Sequence, residues 1–334
     1  MSVPLHRAPR KPPRRLALWT IATLFVIAAV ALLAACGSSN SSSSSASPSA
    51  SAATTTVDGI AITADPALKA MLPAGMTSVR VAADIPYPPW EYYVSPTSKQ
   101  ATGFDYDLSQ ALGAAIGVPV SFNEQPFSSI ILSIKANKNQ VAMSDMYDNA
   151  VREKVLSFVD YAKDTTSIIV LKGNPKGVTD LNSLAGKTVA VETGTTQQVL
   201  LQNLNKQFAG SGKAQMNILT LPDQPSALLA IKSGRAVGDL TDHSTAGYIA
   251  RTTNNGNSFQ LATDPASPDG YSPQLVGAGI LKSNTQLLTV WQKALQDLID
   301  SGAYGKIVTK YGLVPVTSAQ INQGAAPVSA SPSP

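Results

Sequence analysis

Ser144, Asp145 and Tyr147 lead within eight positions into Arg152, and Phe158-Val159-Asp160-Tyr161 follows. A guanidinium just past a strand end rich in hydrogen-bonding side chains offers the planar fork that grips a carboxylate through two parallel bonds. A surface arginine in an exposed salt bridge would look the same in isolation. Other polar groups repeat the pattern of chemistry at the end of an apolar run: Asp84 after 79–83, residues 192–196 after 188–191, and Asp242 after 236–240. In an open α/β sheet, strand ends of this kind converge on the crevice where ligands sit. The chain has two histidines, His6 and His243, and a single cysteine, Cys36. No Cys, His, Asp or Glu set has metal-ligand spacing, so neither metal nor cofactor is expected and no catalytic set stands out. Glu192 could act as an acid, but one carboxylate is thin support for an enzyme.

These residues must be held by a scaffold, and the apolar pattern supplies one. Short β-branched runs at 79–83, 118–122, 141–143, 168–171, 188–191, 218–221 and 236–240 alternate with helical patterns at 105–116, 128–135, 196–207 and 226–233. That rhythm predicts α/β architecture with helices covering the sheets. Helical patterns at 286–301 and 304–311 close the fold.

The N-terminus belongs to another purpose. Arg7, Arg10, Lys11, Arg14 and Arg15 precede an uncharged stretch from 16 to 35, the pattern of an export signal. The stretch ends in Leu33-Ala34-Ala35-Cys36, which resembles a bacterial lipobox, whose cysteine is lipidated and becomes the first mature residue. Residues 1–35 are therefore expected to be a lipoprotein signal peptide and Cys36 the lipidation site. Residues 36–56, almost all Ser, Ala and Thr, read as a linker; as a flexible coil, the 19 residues from Ser38 onward would span roughly 24 Å. Once the five basic residues before Cys36 are gone, 20 Lys+Arg stand against 21 Asp+Glu. A near-neutral mature chain argues against a nucleic-acid partner. With no second cysteine, stability must come from burial.

Gly103-Phe104-Asp105-Tyr106-Asp107-Leu108, followed by Leu112, Gly113 and Ile116, resembles the signature of bacterial extracellular solute-binding proteins serving polar-amino-acid ABC importers. Residues 84–91 are similar to that family's first binding loop, Gly194-Thr195-Thr196-Gln197 to its second-lobe anion loop, and Asp242 to its second-lobe acid. Gly302-Ala303-Tyr304-Gly305-Lys306-Ile307 and Lys310-Tyr311-Gly312 are like its terminal helix. The resemblance covers 79–312 in order. It implies a two-lobed periplasmic-binding-protein-like (type II) fold with two hinge-crossing strands. Lobe 1 would hold 57–166 and 275–313, lobe 2 167–274, and residues 314–334 would be a disordered tail.

By the same resemblance, Arg152 would clamp a carboxylate, with Thr195 and Thr196 facing it from a helix N-terminus suited to anions. Asp242 would take an ammonium group, and Tyr87 and Phe127 would pack near the ligand. The simpler alternatives are helix caps at Thr195 and Asp242. Trp90 is expected to pack within a lobe, and Asp105 and Asp107 to cap a helix and complement its dipole. Asp145 and Tyr147 stand where the family often has small hydroxyl residues. Asp145 would either neutralise Arg152 or, with Asp84 and Glu91, line an acidic pocket for a cationic side chain. The expected ligand set is thus Asp84, Tyr87, Phe127, Ser144, Asp145, Tyr147, Arg152, Thr195, Thr196 and Asp242. The implied protein is an extracytoplasmic, membrane-anchored monomer that captures a polar, cationic amino acid, or a related zwitterion or amine, for an ABC permease. Alternatives on this fold are a dehydratase of cyclic amino-acid precursors or a ligand-sensing module.

Overall fold

The computed structural model describes residues 53–324; the expected signal peptide, Cys36, linker residues 36–52 and tail residues 325–334 lie outside them. Asp58 and Gly59 hold φ of 48° and 76°, the left-handed pair a two-residue hairpin turn requires. They join β1 (Thr54–Val57) to β2 (Ile60–Thr63), with Val57 opposite Ile60. Thr54, Thr55 and Thr56, expected in the linker, are therefore strand residues. Asp65 caps α1 (Pro66–Ala70), its carboxylate accepting from the Ala67 amide at 2.8 Å.

The chain next lays down β3 (Val79–Ala83), β4 (Tyr92–Tyr93), β5 (Ala101–Thr102), α2 (Phe104–Ile116), β6 (Val120–Glu124), α3 (Ile130–Lys135) and β7 (Val141–Ala142). β3 runs parallel to both β6 and β7. Val79, Val81, Ala82 and Ala83 are buried, so both faces of the strand are covered, with Arg80 the one polar interruption. Phe104, Leu108, Leu112 and Ile116 form the buried stripe of α2, four residues apart as a helix face demands. Gly117, at φ 78°, ends that helix.

β8 (Leu156–Leu171) then runs for 16 residues, about 50 Å of extended chain. The sequence pattern marks only its last four residues. Its first half pairs with β13 (Tyr271–Leu281), and its far end with β11 (Gly238–Asp242) and β12 (Phe259–Leu261). Between them lie β9 (Thr188–Glu192), α4 (Thr196–Gly210), β10 (Asn217–Leu221), α5 (Gln224–Lys232) and, after β11, α6 (His243–Thr252). The chain closes with α7 (Thr285–Asp300), α8 (Ala303–Tyr311) and β14 (Val314–Ile321).

The strand order is β10-β9-β11-β8-β13-β7-β3-β6, with β12 and β14 paired to β8. Side chains pack into separate cores along this sheet. Val159, Tyr161, Ala162, Val276, Ala278 and Ile280 join the core beneath α2 and α7, whereas Ile168, Val170 and Tyr271 join the core beneath α4. Both β8 and β13 thus pass from one lobe to the other. At the crossing, β13 breaks register between Tyr271 and Gln274. Gly270 sits there at φ 92°, and a Cβ on it would lie 2.7 Å from the Thr166 carbonyl, so only glycine fits.

A second expectation is corrected. Residues 314–321, read as disordered from their composition, form β14 against β8. Composition misleads because short β14 contributes only Val316 and Ala319 to the core, while its backbone borrows an existing strand edge.

Candidate functional site

All ten residues singled out above line one cavity between the lobes, joined by Glu192 and Gln197. The elements explain the convergence. Asp84 follows β3, Ser144, Asp145 and Tyr147 follow β7, Glu192 ends β9 and Asp242 ends β11. These are carboxyl ends of strands, the side of an α/β sheet where binding groups gather. Phe127 starts a 3₁₀ turn before α3, and Arg152 starts another before β8.

On the second lobe, Gly194 at φ 86° turns β9 into α4. Thr195 caps α4: its hydroxyl accepts from the Gln198 amide at 3.2 Å and donates to the Glu192 carbonyl at 2.8 Å. Its one O–H is thus committed, and Thr195 acts as a helix cap as well as lining the cavity. The buried Thr196 hydroxyl has no protein partner. Asp242 occupies the N-cap position of α6 but makes no capping bond. Instead its carboxylate accepts from the Tyr87 hydroxyl at 2.5 Å and from Gln197 Nε2 at 2.6 Å. Burial raises its pKa despite these donors.

On the first lobe, Arg152 is 8 % exposed. Its Nη1 donates to the Tyr147 carbonyl at 2.7 Å and its Nη2 to the Gly194 carbonyl of the opposite lobe at 3.4 Å. The guanidinium lies 5.2 Å from the centre of the Phe127 ring. Burial pushes its pKa down to about 10, while Asp242 and Asp145 pull the other way; it stays cationic at neutral pH. Among the described residues no ion pair joins Asp145 to Arg152, and neither carboxylate oxygen of Asp145 has a hydrogen-bond donor. Asp145 is 5 % exposed with φ 45°, its amide donating to Asp105 Oδ2 at 2.8 Å. One oxygen each of Asp145, Asp164 and Asp242 lie within 4.8 Å of one another. Burial first, then Asp242 and Asp164, raise the Asp145 pKa well above the carboxylate range. Asp84, pushed up to about 6 by burial, lines the cavity from one lobe and Glu192, raised by burial and by Asp84, from the other.

Several expected roles change. Glu91 does not line the cavity; wholly buried behind the wall, it accepts from the Ser144 hydroxyl at 2.6 Å. The same hydroxyl accepts from the Asp84 amide at 2.8 Å, so Ser144 ties two loops together. Asp105 and Asp107 do not cap α2, whose N-cap Gly103 has no side-chain bond. Asp105 braces the Asp145 backbone, and Asp107 accepts from Lys310 at 2.8 Å and from the Tyr311 hydroxyl at 2.6 Å. Trp90, besides packing on Phe104, donates through Nε1 to Ser244 of the other lobe at 2.9 Å. Glu192 and Gln197 were absent from the expected ligand set; their positions, at a strand end and in the first turn of the next helix, carried the signal.

The Tyr87–Asp242, Trp90–Ser244 and Arg152–Gly194 bonds all join the lobes. The space they enclose is about 10 Å³ for the centre of a water-sized sphere, room for about one water. A solute of amino-acid size enters only if the lobes part, by flexing where β8 and β13 cross. Two α/β lobes hinged on paired strands and closing over buried charges of both signs define a solute-binding protein rather than a rigid scaffold.

The comparisons agree. Residues 79–314 match the family model of bacterial extracellular solute-binding proteins, family 3, and the chain belongs to that family. It is 28 % identical over 242 residues to the lysine/arginine/ornithine-binding periplasmic protein of Escherichia coli, covering 70 % of this chain and 87 % of that one. It is 24 % identical over 251 residues to an arginine-binding extracellular protein of Bacillus subtilis, covering 75 % and 92 %. Among solved structures, an ancestral arginine-binding protein bound to arginine superposes with a TM-score of 0.62 at 27 % identity, covering 71 % of this chain and 98 % of that one. The family is one of binding proteins, not catalysts.

Proposed function

We propose that the chain is the extracytoplasmic receptor of an ABC importer and captures a small solute with a cationic nitrogen, of the class that includes the basic amino acids. The observation that carries this reading is the charge of the cavity wall: Asp84, Asp145, Glu192 and Asp242 surround a single cation, Arg152. Carboxylates buried without a cation are costly, and a cationic ligand removes that cost. The relatives named for arginine, lysine and ornithine support the same solute class. Arg152 and the first turn of α4 make the positive end, where a ligand's carboxylate, when present, would find its counter-charge.

Closure follows from the geometry. A ligand gripped by both lobes favours the closed arrangement because only there do Asp242 and Tyr87 act together. The receptor acts as a monomer, tethered through lipidated Cys36, and presents its load to a membrane permease.

Titration calorimetry with arginine, lysine, ornithine, histidine and their amines tests the reading. A ligand binding tighter than about 100 μM, beyond about −5 kcal/mol, is expected; no heat from any cationic solute at millimolar concentration would refute it. The anchor is checked by feeding cells an alkyne fatty acid. The wild-type chain should take the label and fractionate with membranes, and Cys36→Ser should do neither.

A further inference from the structure

The first turn of α6 has a side-chain acceptor, but not the one its own N-cap would provide. Asp242 stands at that position and turns both carboxylate oxygens to the cleft side, Oδ2 to Tyr87 and Oδ1 to Gln197. The Ser244 amide, second in the helix, donates instead to Asp164, 3.3 Å from Oδ2 and 3.4 Å from Oδ1. Accepting from that amide is the work of an N-cap side chain, and here it comes from a strand 80 residues earlier. The register explains how. β8 runs antiparallel to β11 with Asp242 opposite Thr166, and two more residues along β8 bring Asp164 beside Ser244.

Asp164 also fixes a hydroxyl. Its Oδ2 accepts from Ser244 Oγ at 2.5 Å and its Oδ1 from the Thr165 amide at 2.7 Å. A serine hydroxyl has one proton to give. With that proton directed to Asp164, the Ser244 oxygen is held as an acceptor for Trp90, whose Nε1 donates to it from the other lobe at 2.9 Å. Asp164 is 8 % exposed and does not line the ligand cavity; it faces a separate crevice with Pro89, His243 and Arg251. It pairs with Gln274, next to the break in β13, so it belongs to the pivot between the lobes.

Resting on the receptor reading above, we propose that Asp164 is a positioning residue for ligand capture, one that touches no ligand and works through α6. By capping the helix it leaves the Asp242 carboxylate free for the cleft, and by orienting the Ser244 hydroxyl it sets the acceptor on which Trp90 closes. One oxygen of Asp164 lies within 4.8 Å of one of Asp242. Without Asp164, the carboxylate at hand to cap α6 is the one that serves the ligand.

The test follows arginine and lysine on the full chain, by calorimetry for affinity and by stopped-flow fluorescence for the two rates. Asp164→Ala should bind about tenfold more weakly, with the loss in release rather than association, because cap and latch both act in the closed form. Asp164→Asn, which keeps a capping oxygen without the charge, should recover affinity to within about threefold of wild type. Ser244→Ala, which spares the helix amide but removes the latch, should release ligand about threefold faster, and adding it to Asp164→Ala should cost nothing more. An Asp164→Ala protein that melts lower but keeps wild-type release overturns the proposal, since Asp164 is then structural alone. Asp164→Asn as weak as Asp164→Ala also overturns it, since the charge rather than the cap then matters. If Asp164→Ala does not fold, the Asp164→Asn and Ser244→Ala results decide by the same criteria. All of these outcomes leave the receptor reading standing; a folded wild-type chain that binds no cationic solute ends both.

Discussion

Asp242 illustrates how a residue at a helix N-terminus can be held for something other than the helix. Its carboxylate turns from the α6 amides to Tyr87 and Gln197, one on each side of the cleft. Asp242→Asn keeps the shape and removes the charge. A buried cation left without its partner costs about 3 kcal/mol, so affinity for a cationic solute should fall roughly a hundredfold by calorimetry; an unchanged constant would take Asp242 out of the site. Gly194 acts by backbone rather than by charge. A Cβ there would lie 3.1 Å from Ser128 Cα of the facing lobe, at φ 86°, where an L-residue costs about 1–2 kcal/mol. Gly194→Ala should therefore weaken ligand binding while leaving most of the helical circular dichroism intact. At this scale the sequence was informative about position: polar residues after apolar runs reach one cavity because parallel strands end on one side. It was uninformative about partners. Glu91 stands beside Asp84's loop in sequence, yet folding turns it inward to Ser144, and the positive φ of Asp145 that aims its side chain is set by Asp105, forty residues earlier.

At the scale of elements, β14 and the residues after it brace the binding loop from behind. Asn322 Oδ1 accepts from the Phe158 amide at 2.7 Å, the Gln323 amide donates to Asp160 at 3.1 Å, and the Gly324 amide donates to Asp148 at 2.8 Å. Asp148 belongs to the stretch that carries Asp145, Tyr147 and Arg152. Burial pushes Asp148 up to about 7 and Asp160 up to about 6, so the strap's amides are what those acids have for donors. Hydrogen bonds to charged or part-charged groups contribute about 1.5 kcal/mol each, partly offset by the order imposed on the strap. Ending the chain at Leu313 should lower unfolding stability by about 2 kcal/mol in urea and weaken ligand binding severalfold. A truncated chain of wild-type stability and affinity would make the strap an ornament of the surface. The strap is hard to read from sequence because Pro315, Thr317 and Ser318 carry weak strand propensity and the pairing edge is supplied by β8, 150 residues away. Helices α2 to α5, α7 and α8, by contrast, were legible from periodicity, since their buried stripes are local patterns, whereas α1 and α6 were not.

For the molecule as a whole, the buried acids set how stability and binding answer to pH, in opposite directions. In the unliganded protein, burial lifts Asp84 to about 6 and Asp105, Asp164 and Asp239 to about 7 from an ordinary 3.8, and lifts Glu91, Asp145, Glu192 and Asp242 as well. The cation facing them in the cleft is Arg152, and nearby His243 is pushed down from 6.5 by burial. A folded-state pKa above the unfolded value means that the native chain binds more protons between the two, so stability falls as pH rises through that window. The imidazole acts in the other direction below about 6.5, but it is one group against many carboxylates. The melting temperature of the ligand-free protein should therefore rise as pH drops from about 8 to 5. A cationic ligand reverses the balance because it favours the charged carboxylates and expels their protons. Its affinity should weaken over the same descent, and calorimetry in two buffers of different ionisation heat should register about one or more protons released per ligand bound. Should the ligand-free protein instead gain stability toward pH 8 while affinity stays flat, the carboxylates of the cleft are already charged at neutral pH. The cleft would then owe its closed form to contacts such as Trp90–Ser244 rather than to shared protons.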